Sequence, residues 1–407
     1  MSTAVEAPTL RIPDLSSSAL AEVTARVARS AAVYDASGEL PWDGLEHAHR
    51  AGLLTATMGR RWGGPELGAS DVARILVALG EGDPAVALLA ANTLAAHRSQ
   101  AHRDAWPEGS YERLAVEAAG RPVLINTVRA EPELGAPARG GLPRTVARRV
   151  ADGWEVTGAK AYATGGEGLA VHLVWAVAQD AAEDGEPRVG HVVVPGDAPG
   201  ITWTPTWDHL GLRASQTHDV HYDAVAVPAD AFIEIPRQAD GTYLDPAAST
   251  GVDGLAWTAI YVGVARAART AFADIARARV PAALGVPIAT TERIQVVAGE
   301  IEAQIAQAEA LLYGTIARHD AGEAAVASQL SVIKVQIVRS AIAAVEAAVA
   351  ALGNLALTRH HALERHLRDV LCARVHPPQE DAALVATGRQ VLLTLPADGA
   401  AEPRGRA

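Results

Sequence analysis

The chain has 407 residues, a length that allows roughly two to four domains of ordinary size. Acidic residues outnumber basic ones by 47 to 35, and no continuous basic stripe offsets the formal charge of −12. Binding to nucleic acid is therefore disfavoured. The single cysteine, Cys372, excludes a disulfide framework. Because the sequence has no signal-peptide pattern and no long uninterrupted apolar run, we expect a cytoplasmic protein without a membrane partner.

The first region of the chain has the periodicity of helices. Apolar residues recur three and four positions apart, for example at Leu20, Val23 and Val27. Breaker residues at 62–65 (Trp-Gly-Gly-Pro) and 82–84 (Gly-Asp-Pro) divide this region into several helices. The pattern predicts an all-helical N-terminal domain over residues 1–120.

The pattern changes at residues 121–122 (Arg-Pro). Short runs of β-branched residues follow, such as 123–125 and 191–194, and turn residues such as Asp152-Gly153 separate them. Runs of this length and spacing are typical of a compact antiparallel β domain, a sandwich or a barrel. We assign this central β domain to residues 121–240.

Helical periodicity returns after a polar linker and continues to the end of the folded chain. One predicted helix, residues 325–352, is apolar almost all round, so we expect it in the middle of a bundle. The C-terminal helical bundle is assigned to residues 241–395, and residues 396–407 are predicted to be a flexible tail. The order of helical, β and helical domains defines an α+β multidomain protein.

Searches for generic catalytic motifs are negative. A Rossmann glycine motif is absent, because the segment at 165–168 has Val171 where the last glycine is required. The sequence also lacks a P-loop and a nucleophile elbow. The histidine cluster His360, His361 and His366 lacks two members at i, i+4 spacing, so no metal site is predicted.

Short segments in a fixed order carry a more specific signal: residues 51–53, 62–64, 130–132, 152–164, 199–200, 210–215, 225–228 and 364–369. Their order and spacing, over about residues 30–395, resemble the acyl-CoA dehydrogenase superfamily. The resemblance implies that fold, with an N-terminal helical domain, a central antiparallel β-barrel or sandwich and a C-terminal four-helix bundle. It also implies a homotetramer and a flavin between the β domain and the C-terminal helices, which needs no Rossmann motif.

The resemblance also implies which residues contact the flavin. One edge of the isoalloxazine ring would be lined by residues 127–130, and the Thr164 hydroxyl would lie near the ring atom N5. A flavin needs hydrogen-bond donors at its pyrimidine carbonyls and a polar contact at N5. The predicted flavin-binding residues are Thr127, Val128, Arg129, Ala130, Tyr162, Ala163 and Thr164.

A dehydrogenase of this superfamily needs a glutamate to abstract a proton from its thioester substrate. In the commonest subgroup this base follows the Arg-Asp pair by eight positions, and here that position is Pro377, which cannot accept a proton. Alternative bases are Asp253, by similarity to a second subgroup, and Glu380 or Asp381, which lie just beyond the usual place. A dehydrogenase acting on an acyl-CoA or an acyl carrier protein thioester with a displaced base is therefore one hypothesis.

The C-terminal part of the chain is more similar to the type 2 branch of the superfamily. That branch contains reduced-flavin-dependent monooxygenases of the desulfurisation, aromatic hydroxylase and nitrososynthase kinds. The motif that contacts the pyrophosphate of FAD in the dehydrogenases is incomplete here, since Leu284 replaces a phenylalanine after Arg279, and a double glycine is reduced to Gly353-Asn354. These departures admit FMN as well as FAD.

The favoured hypothesis is a two-component monooxygenase. It would form a C4a-hydroperoxyflavin from dioxygen and reduced FMN or FAD, which a separate reductase supplies. The resemblance assigns His376 and His97 to the flavin C4a, together with Thr164, because the peroxide needs a hydrogen-bonding group that can deliver a proton in a dry pocket. A third hypothesis is a degenerate paralogue that binds flavin without turnover.

The identity of the small-molecule substrate does not follow from the sequence. The chain has eight tryptophans, and three of them could line a pocket for a planar substrate: Trp106, Trp207 and Trp257.

Overall fold

A computed structural model describes residues 10–107, 109–133, 142–180, 187–238, 243 and 251–393. Within these residues, an N-terminal helical region, a central β region and a C-terminal helical region follow one another along the chain. The predicted α+β class and the three-domain architecture are confirmed. The predicted tail at 396–407 and most of the linker before residue 251 lie outside the described residues.

The described part of the N-terminal region contains five α-helices. Two of them begin at the capping residues that the sequence supplies: the Ser16 hydroxyl accepts a hydrogen bond from the Ala19 amide, and the Asp83 carboxylate accepts one from the Ala85 amide. Pro84 occupies the first turn of its helix, where the missing N–H costs no hydrogen bond. The helices are α1 (Ser17–Ser37), α2 (Trp42–Arg50), α3 (Ala69–Gly82), α4 (Pro84–Arg103) and α5 (Ser110–Gly120).

The central region is one sheet with strand order β6-β7-β3-β2-β4-β5-β8, and β1 also pairs with β4. Its inward-facing residues are mostly Val, Ile, Leu and Trp, which explains why the β-branched runs predicted strands. The strands are β1 (Leu124–Val128), β2 (Val146–Val150), β3 (Gly153–Ala163), β4 (Leu169–Gln179), β5 (Val189–Pro195), β6 (Ile201–Thr204), β7 (His218–Pro228) and β8 (Phe232–Glu234).

The sheet is mixed, which corrects one detail of the predicted antiparallel pairing. Among the described residues, five strand pairs are antiparallel, whereas β1–β4 and β2–β4 are parallel. β4 has 11 residues, so β1 and β2 share one of its edges, one along each half. The alternation of apolar residues predicts a strand but carries no information about the direction of its partner.

The C-terminal region is helical. Its longest apolar helix, α9, has the length and hydropathy of a membrane span, but 61% of that window is buried against neighbouring helices. It is therefore the central helix of the bundle, as predicted. The helices are α6 (Val252–Ala256), α7 (Thr258–Ala278), α8 (Glu292–Asp320), α9 (Ala325–Leu352), α10 (Asn354–Leu357), α11 (Leu363–Leu371) and α12 (Glu380–Leu393).

The two helical regions pack directly on each other at a pair of glycines. A Cβ atom on Gly80 of α3 would lie 2.3 Å from the carbonyl oxygen of Ile260, and one on Gly263 of α7 would lie 2.4 Å from that of Val77. Only glycine permits such a close approach of two helix backbones. The N-terminal and C-terminal helices therefore share one hydrophobic core.

Helix α11 joins all three regions. Arg368 forms an ion pair with Asp35 of α1 at 2.6 Å and donates a hydrogen bond to the Leu210 carbonyl of the β region. The next residue, Asp369, is buried and accepts a hydrogen bond from the Leu212 amide at 2.8 Å. The Arg-Asp pair noted in the sequence therefore fixes the position of the segment that follows it, which contains His376.

Candidate functional site

The two segments predicted to contact a flavin lie side by side. The predicted contacts are residues 127–130 and 162–164. They belong to two edge segments, defined here as residues 126–131, where β1 ends, and residues 160–164, where β3 ends. Two hydrogen bonds join them: the Asn126 side-chain amide donates to the Thr164 carbonyl at 3.0 Å, and the Ala161 amide donates to the Ala130 carbonyl at 2.9 Å. Residues more than 30 positions apart in the sequence thus form one continuous edge.

The Thr164 side chain belongs to a chain of hydroxyl groups. Its Oγ1 accepts a hydrogen bond from Thr217 Oγ1 at 3.1 Å, and Thr217 Oγ1 lies 2.7 Å from Ser215 Oγ. Because Thr164 accepts from Thr217, its own hydroxyl hydrogen is available to another acceptor. Thr164 is 8% exposed, so that acceptor would be held close to the protein interior.

The edge segments present both exposed and buried side chains. Tyr162 is 66% exposed and has a backbone φ of +57°, a left-handed conformation that is uncommon for an aromatic residue. Thr127, Arg129 and Ala130 are partly exposed. The remaining predicted residues, Val128 and Ala163, have their side chains in the core. The edge therefore offers an accessible threonine hydroxyl and an aromatic ring beside the buried Thr164.

A buried ion pair that the sequence reasoning missed ties the two edge segments together. Lys160 Nζ lies 2.8 Å from Glu131 Oε1, and both side chains are almost completely buried. The carboxylate also accepts hydrogen bonds from the amides of Arg144 and Thr145 and from the Thr145 hydroxyl. The signal was present in the sequence, because Lys160 is one of only two lysines in the chain.

The ionisation of this pair follows from its surroundings. Burial alone would raise the pKa of the Glu131 carboxyl, but the charge and hydrogen bond of Lys160, with the bonds from Thr145 and Arg144, outweigh burial and lower it. Glu131 is therefore ionised at neutral pH. Burial lowers the pKa of Lys160 to about 8, against the opposing charge of Glu131.

His97 is completely buried on α4. Its Nδ1 lies 2.7 Å from the Tyr111 hydroxyl, and its Nε2 is buried without a hydrogen-bond partner among the described residues. Burial lowers the pKa of His97 to about 3, so the imidazole is neutral at physiological pH. Thr93, one turn earlier, accepts a hydrogen bond from the Ile125 amide, which packs this face of α4 against β1.

His376 lies in the segment 375–379, here called the His376 loop, which leads into α12. The centre of its ring is 5.9 Å from that of Trp257 and 5.7 Å from that of Tyr261, two residues on one face where α6 runs into α7. The residue as a whole is only half-buried. Burial of the ring is nevertheless the largest cause that lowers its pKa to about 4, followed by the positive charge of Lys334. This imidazole is also neutral at physiological pH.

The structure does not bring all of the predicted site residues into contact with one another. In the part of the chain that it describes, no hydrogen bond or ring contact links His376 to Thr164 or His97. The tryptophans considered for a planar pocket are also separate: Trp106 packs on Tyr111, Trp207 stacks on His209, and only Trp257 contacts His376. The roles of the individual residues therefore stay predictions.

The carboxylates considered as alternative bases lie near the surface. Asp253 pairs with Arg98 Nε at 3.0 Å and is 56% exposed. Glu380 pairs with Arg339 of α9 at 2.5 Å, and this hydrogen-bonded partner lowers the pKa of Glu380. Asp381 is exposed in the first turn of α12.

A cavity of about 570 Å³ is lined by Arg279 of the incomplete pyrophosphate motif but not by Leu284. Arg279 and Asn354, 75 positions apart in the sequence, both line it, together with Arg293 and Thr291. Gln295, in the first turn of α8, donates a hydrogen bond to the nearby Ala289 carbonyl. Arg293 was missed by the sequence reasoning, because only the fold brings the start of α8 beside the end of α9.

Comparison with protein-family models matches all three regions of the chain. The N-terminal domain of acyl-CoA dehydrogenase matches residues 14–106, the middle domain residues 127–225 and the C-terminal domain residues 255–378.

The similar proteins are named for different activities. L-evernosamine nitrososynthase from Micromonospora sp. is 29% identical over 370 residues, which cover 86% of this chain and 83% of that protein. YdbM of Bacillus subtilis, which carries the name of an acyl-CoA dehydrogenase, is 27% identical over 358 residues, 88% of this chain and 91% of its own length. The FMN-bound structure of TdsC from Paenibacillus sp. A11-2 has the same fold, with a TM-score of 0.77, 21% identity and coverage of 92% and 96%.

Proposed function

The chain belongs to the acyl-CoA dehydrogenase superfamily, and on that premise we propose that it is a flavin-dependent monooxygenase that uses reduced FMN or FAD and dioxygen. The observation that carries the proposal is the kind of titratable group at the predicted site. The imidazoles of His97 and His376 are both neutral, whereas the candidate carboxylates are paired with arginines or exposed. The similarity to a nitrososynthase supports the same activity class.

The edge segments fit a flavin. They combine an exposed aromatic side chain, Tyr162, with the hydroxyls of Thr127 and Thr164, and a planar ring with polar edges requires both kinds of contact. A bound reduced flavin would supply the two electrons needed to activate dioxygen.

Thr164 would hold a hydrogen bond to the flavin ring. Its oxygen accepts from Thr217, so its hydrogen is available to another acceptor. The Asn126 side chain fixes the backbone of Thr164 and so limits the movement of the hydroxyl. The role of Thr164 is therefore to orient the ring and to stabilise its reduced form.

His97 would act as a fixed hydrogen-bonding group in a dry environment. Tyr111 occupies its Nδ1, which leaves Nε2 as the nitrogen that can interact with a reactant. Trp62 and Trp106 pack on Tyr111, with ring centres 4.4 and 5.3 Å away, and this packing holds the histidine–tyrosine pair in place. Exclusion of water at such a position suppresses unproductive release of peroxide.

His376 would transfer a proton. A neutral imidazole can accept a proton through one nitrogen while the other acts as a donor, which suits general acid–base catalysis. Trp257 and Tyr261 cover one side of its ring and restrict its contact with water. The imidazole is thus held beside an apolar surface that could also contact the substrate.

The remaining features of the proposal concern partners. We infer that a separate reductase supplies the reduced flavin, that the protein is cytoplasmic and that it is a homotetramer in which a neighbouring subunit completes the flavin site. The cavity that contains Arg279 and Arg293 suits a pyrophosphate because a guanidinium forms bidentate hydrogen bonds with phosphate. If FAD is the flavin, this cavity on one subunit would hold its phosphates.

A second candidate function is an acyl thioester dehydrogenase with Asp253 as the base. The observation in its favour is that Asp253 pairs with Arg98, the residue that follows His97 on α4, so this carboxylate lies beside the same helix. The Asp253 carboxylate is engaged by Arg98, however, and movement of Arg98 would be needed to free it for proton abstraction.

The test follows hydrogen peroxide release from reduced flavin. Photoreduced FMN or FAD is bound anaerobically and then mixed with air-saturated buffer. We expect the protein to slow peroxide release about tenfold or more relative to free flavin, because the bound flavin is shielded from water. His376→Ala and His97→Phe should bind flavin and return release toward the free rate.

The matched control is His172→Phe. His172 forms the same kind of buried pair, with Tyr222 at 2.8 Å, in the core of the β region, and its replacement should leave peroxide release slow.

Rapid anaerobic bleaching of bound FAD by butyryl-CoA, lost in Asp253→Asn, would contradict the oxygenase and support the dehydrogenase. If neither reaction occurred, the chain would be a binding protein without turnover.

A further inference from the structure

The second of the two lysines contacts the His376 loop. Lys334 lies on α9 and is only 7% exposed. Its Nζ donates hydrogen bonds to the carbonyl oxygens of His376 at 2.8 Å and of Pro378 at 3.1 Å. One ammonium group therefore contacts the backbone at the predicted catalytic histidine and again two residues later.

The composition of the loop explains why such a contact matters. Pro377 and Pro378 have no backbone N–H, so two consecutive positions cannot donate hydrogen bonds to fix the loop. An ammonium carries three donors and can pair with two carbonyl oxygens at once. A buried carbonyl without a partner costs free energy, which favours the arrangement that Lys334 satisfies.

Lys334 is held by the loop rather than by a counter-ion. Among the described residues, no carboxylate lies within 4 Å of its Nζ, although the charge of Glu380 acts on it from a longer distance. Burial lowers the pKa of Lys334 to about 8, so Lys334 is charged in most molecules at neutral pH. A buried ammonium that relies on carbonyl oxygens is costly unless both hydrogen bonds are kept.

Other groups face His376 from the surrounding elements. Tyr261 lies on α7, Trp257 precedes α7, and His209 lies in the β region after β6. The two groups whose positive charge disfavours a charged His376 imidazole are Lys334 and His209. Of these two, only Lys334 also hydrogen-bonds the loop backbone.

We propose that Lys334 is the positioning residue of the His376 loop. Its two hydrogen bonds set the backbone at His376, so that the imidazole packs against Trp257 and Tyr261. The catalytic importance of this contact rests on the proposed function, because only that proposal gives His376 a role in catalysis. The placement of the loop itself can be tested without any flavin.

The experiment compares Lys334→Met with Lys334→Arg and with Arg339→Met. The arginine variant keeps the charge and the donors, and is the conservative rescue. Arg339 lies five positions further along α9 and pairs with Glu380 at the start of α12, so Arg339→Met removes a neighbouring exposed cation without touching the loop carbonyls. Hydrogen exchange of peptides covering residues 375–380 reports loop order, and NMR titration of the His376 imidazole, assigned with His376→Ala, reports its charge.

We expect Lys334→Met to speed exchange in the loop about tenfold and to raise the pKa of His376, since a positive charge next to the ring is removed. Lys334→Arg and Arg339→Met should leave the His376 pKa low. If Lys334→Met fails to fold, Lys334→Gln keeps a neutral N–H donor group without the charge and should raise the pKa of His376 with less effect on exchange.

Unchanged exchange and an unchanged His376 titration in Lys334→Met would overturn the proposal, as would equal effects from Arg339→Met. These readouts separate this inference from the proposed function. If peroxide release did not depend on His376 while exchange and titration changed as expected, the oxygenase would be wrong and the role of Lys334 in loop placement would stand.

Discussion

The two buried lysines belong to regions that hold their candidate site residues in different ways. In the β region, Lys160 forms an ion pair with Glu131, and further hydrogen bonds from Asn126 and Ala161 join the same two edge segments. In the C-terminal region, the His376 loop depends on Lys334 for hydrogen bonds to two of its carbonyl oxygens. The β edge is therefore held by several separate contacts, whereas two carbonyl groups of the loop depend on one side chain.

Because of this difference, we expect mutations in the two regions to have different consequences. Loss of one contact at the β edge leaves the strand pairing that holds both segments, but the loss of Lys160 would also leave an ionised carboxylate buried. Loss of Lys334 leaves two carbonyl oxygens, which are neutral and closer to the surface. We therefore expect variants of the β edge to affect folding and variants of the loop to affect the position of His376.

The largest effect is expected from Lys160→Met. Removal of one partner from a buried ion pair costs about 3–5 kcal/mol in the free energy of unfolding. Glu131→Gln combined with Lys160→Met should recover much of that loss, because no buried charge remains. Lys334→Met should cost less, about 1–3 kcal/mol, since the two carbonyl oxygens that lose the ammonium are neutral and no buried charge is left without its partner. Urea unfolding of the four proteins measures these differences, and an equal cost for the two single lysine variants would contradict the comparison.

A smaller effect is expected from Asp369→Asn, at the helix that leads into the loop. Burial raises the pKa of Asp369 to about 7, so the folded state binds a proton more readily than the unfolded state, where the pKa is near 4. Stability from this group is full below about pH 4 and is lost as the pH rises to about 7.

Asparagine cannot ionise but still offers an oxygen to the Leu212 amide, so Asp369→Asn should flatten the fall in stability over that range. Asp83, whose pKa burial raises to about 6, would keep a weaker dependence of the same sign. Thermal unfolding from pH 4 to 8 measures the slope, with the exposed Asp274→Asn as control. A slope unchanged in Asp369→Asn would show that this carboxyl is ionised throughout.

The smallest effect is expected from Asn126→Ala. The variant loses one neutral hydrogen bond to the Thr164 carbonyl, worth about 1 kcal/mol. Because the other contacts of the edge remain, the protein should fold normally and bind FMN with an affinity reduced a few-fold. Asn92→Ala is a suitable control, since its amide donates within its own helix to the Leu88 carbonyl. A complete loss of FMN binding in Asn126→Ala would mean that the edge is less redundant than we infer.

Much of the architecture could be predicted because local patterns determine it. Apolar spacing predicted the helices, and the apolar segment 325–352 was correctly expected to be the centre of the bundle. The order of short segments identified the family, and with it a flavin as the cofactor. The parallel pairing of β1 with β4 was not predicted, because alternation within a strand does not specify its neighbours.

The sequence by itself determined the three-domain order, the superfamily and the candidate residues, since each depends on residue types at short spacing along the chain. Only the tertiary structure decided what those residues contact. The Glu131–Lys160 pair joins positions 29 apart, and the bond from Lys334 to the His376 carbonyl joins positions 42 apart. Both contacts exist because packing brings buried polar groups together, and burial makes a partner for each charge obligatory. The sequence shows that the chain has only two lysines, but the role of each lysine depends on which atoms its ammonium group contacts.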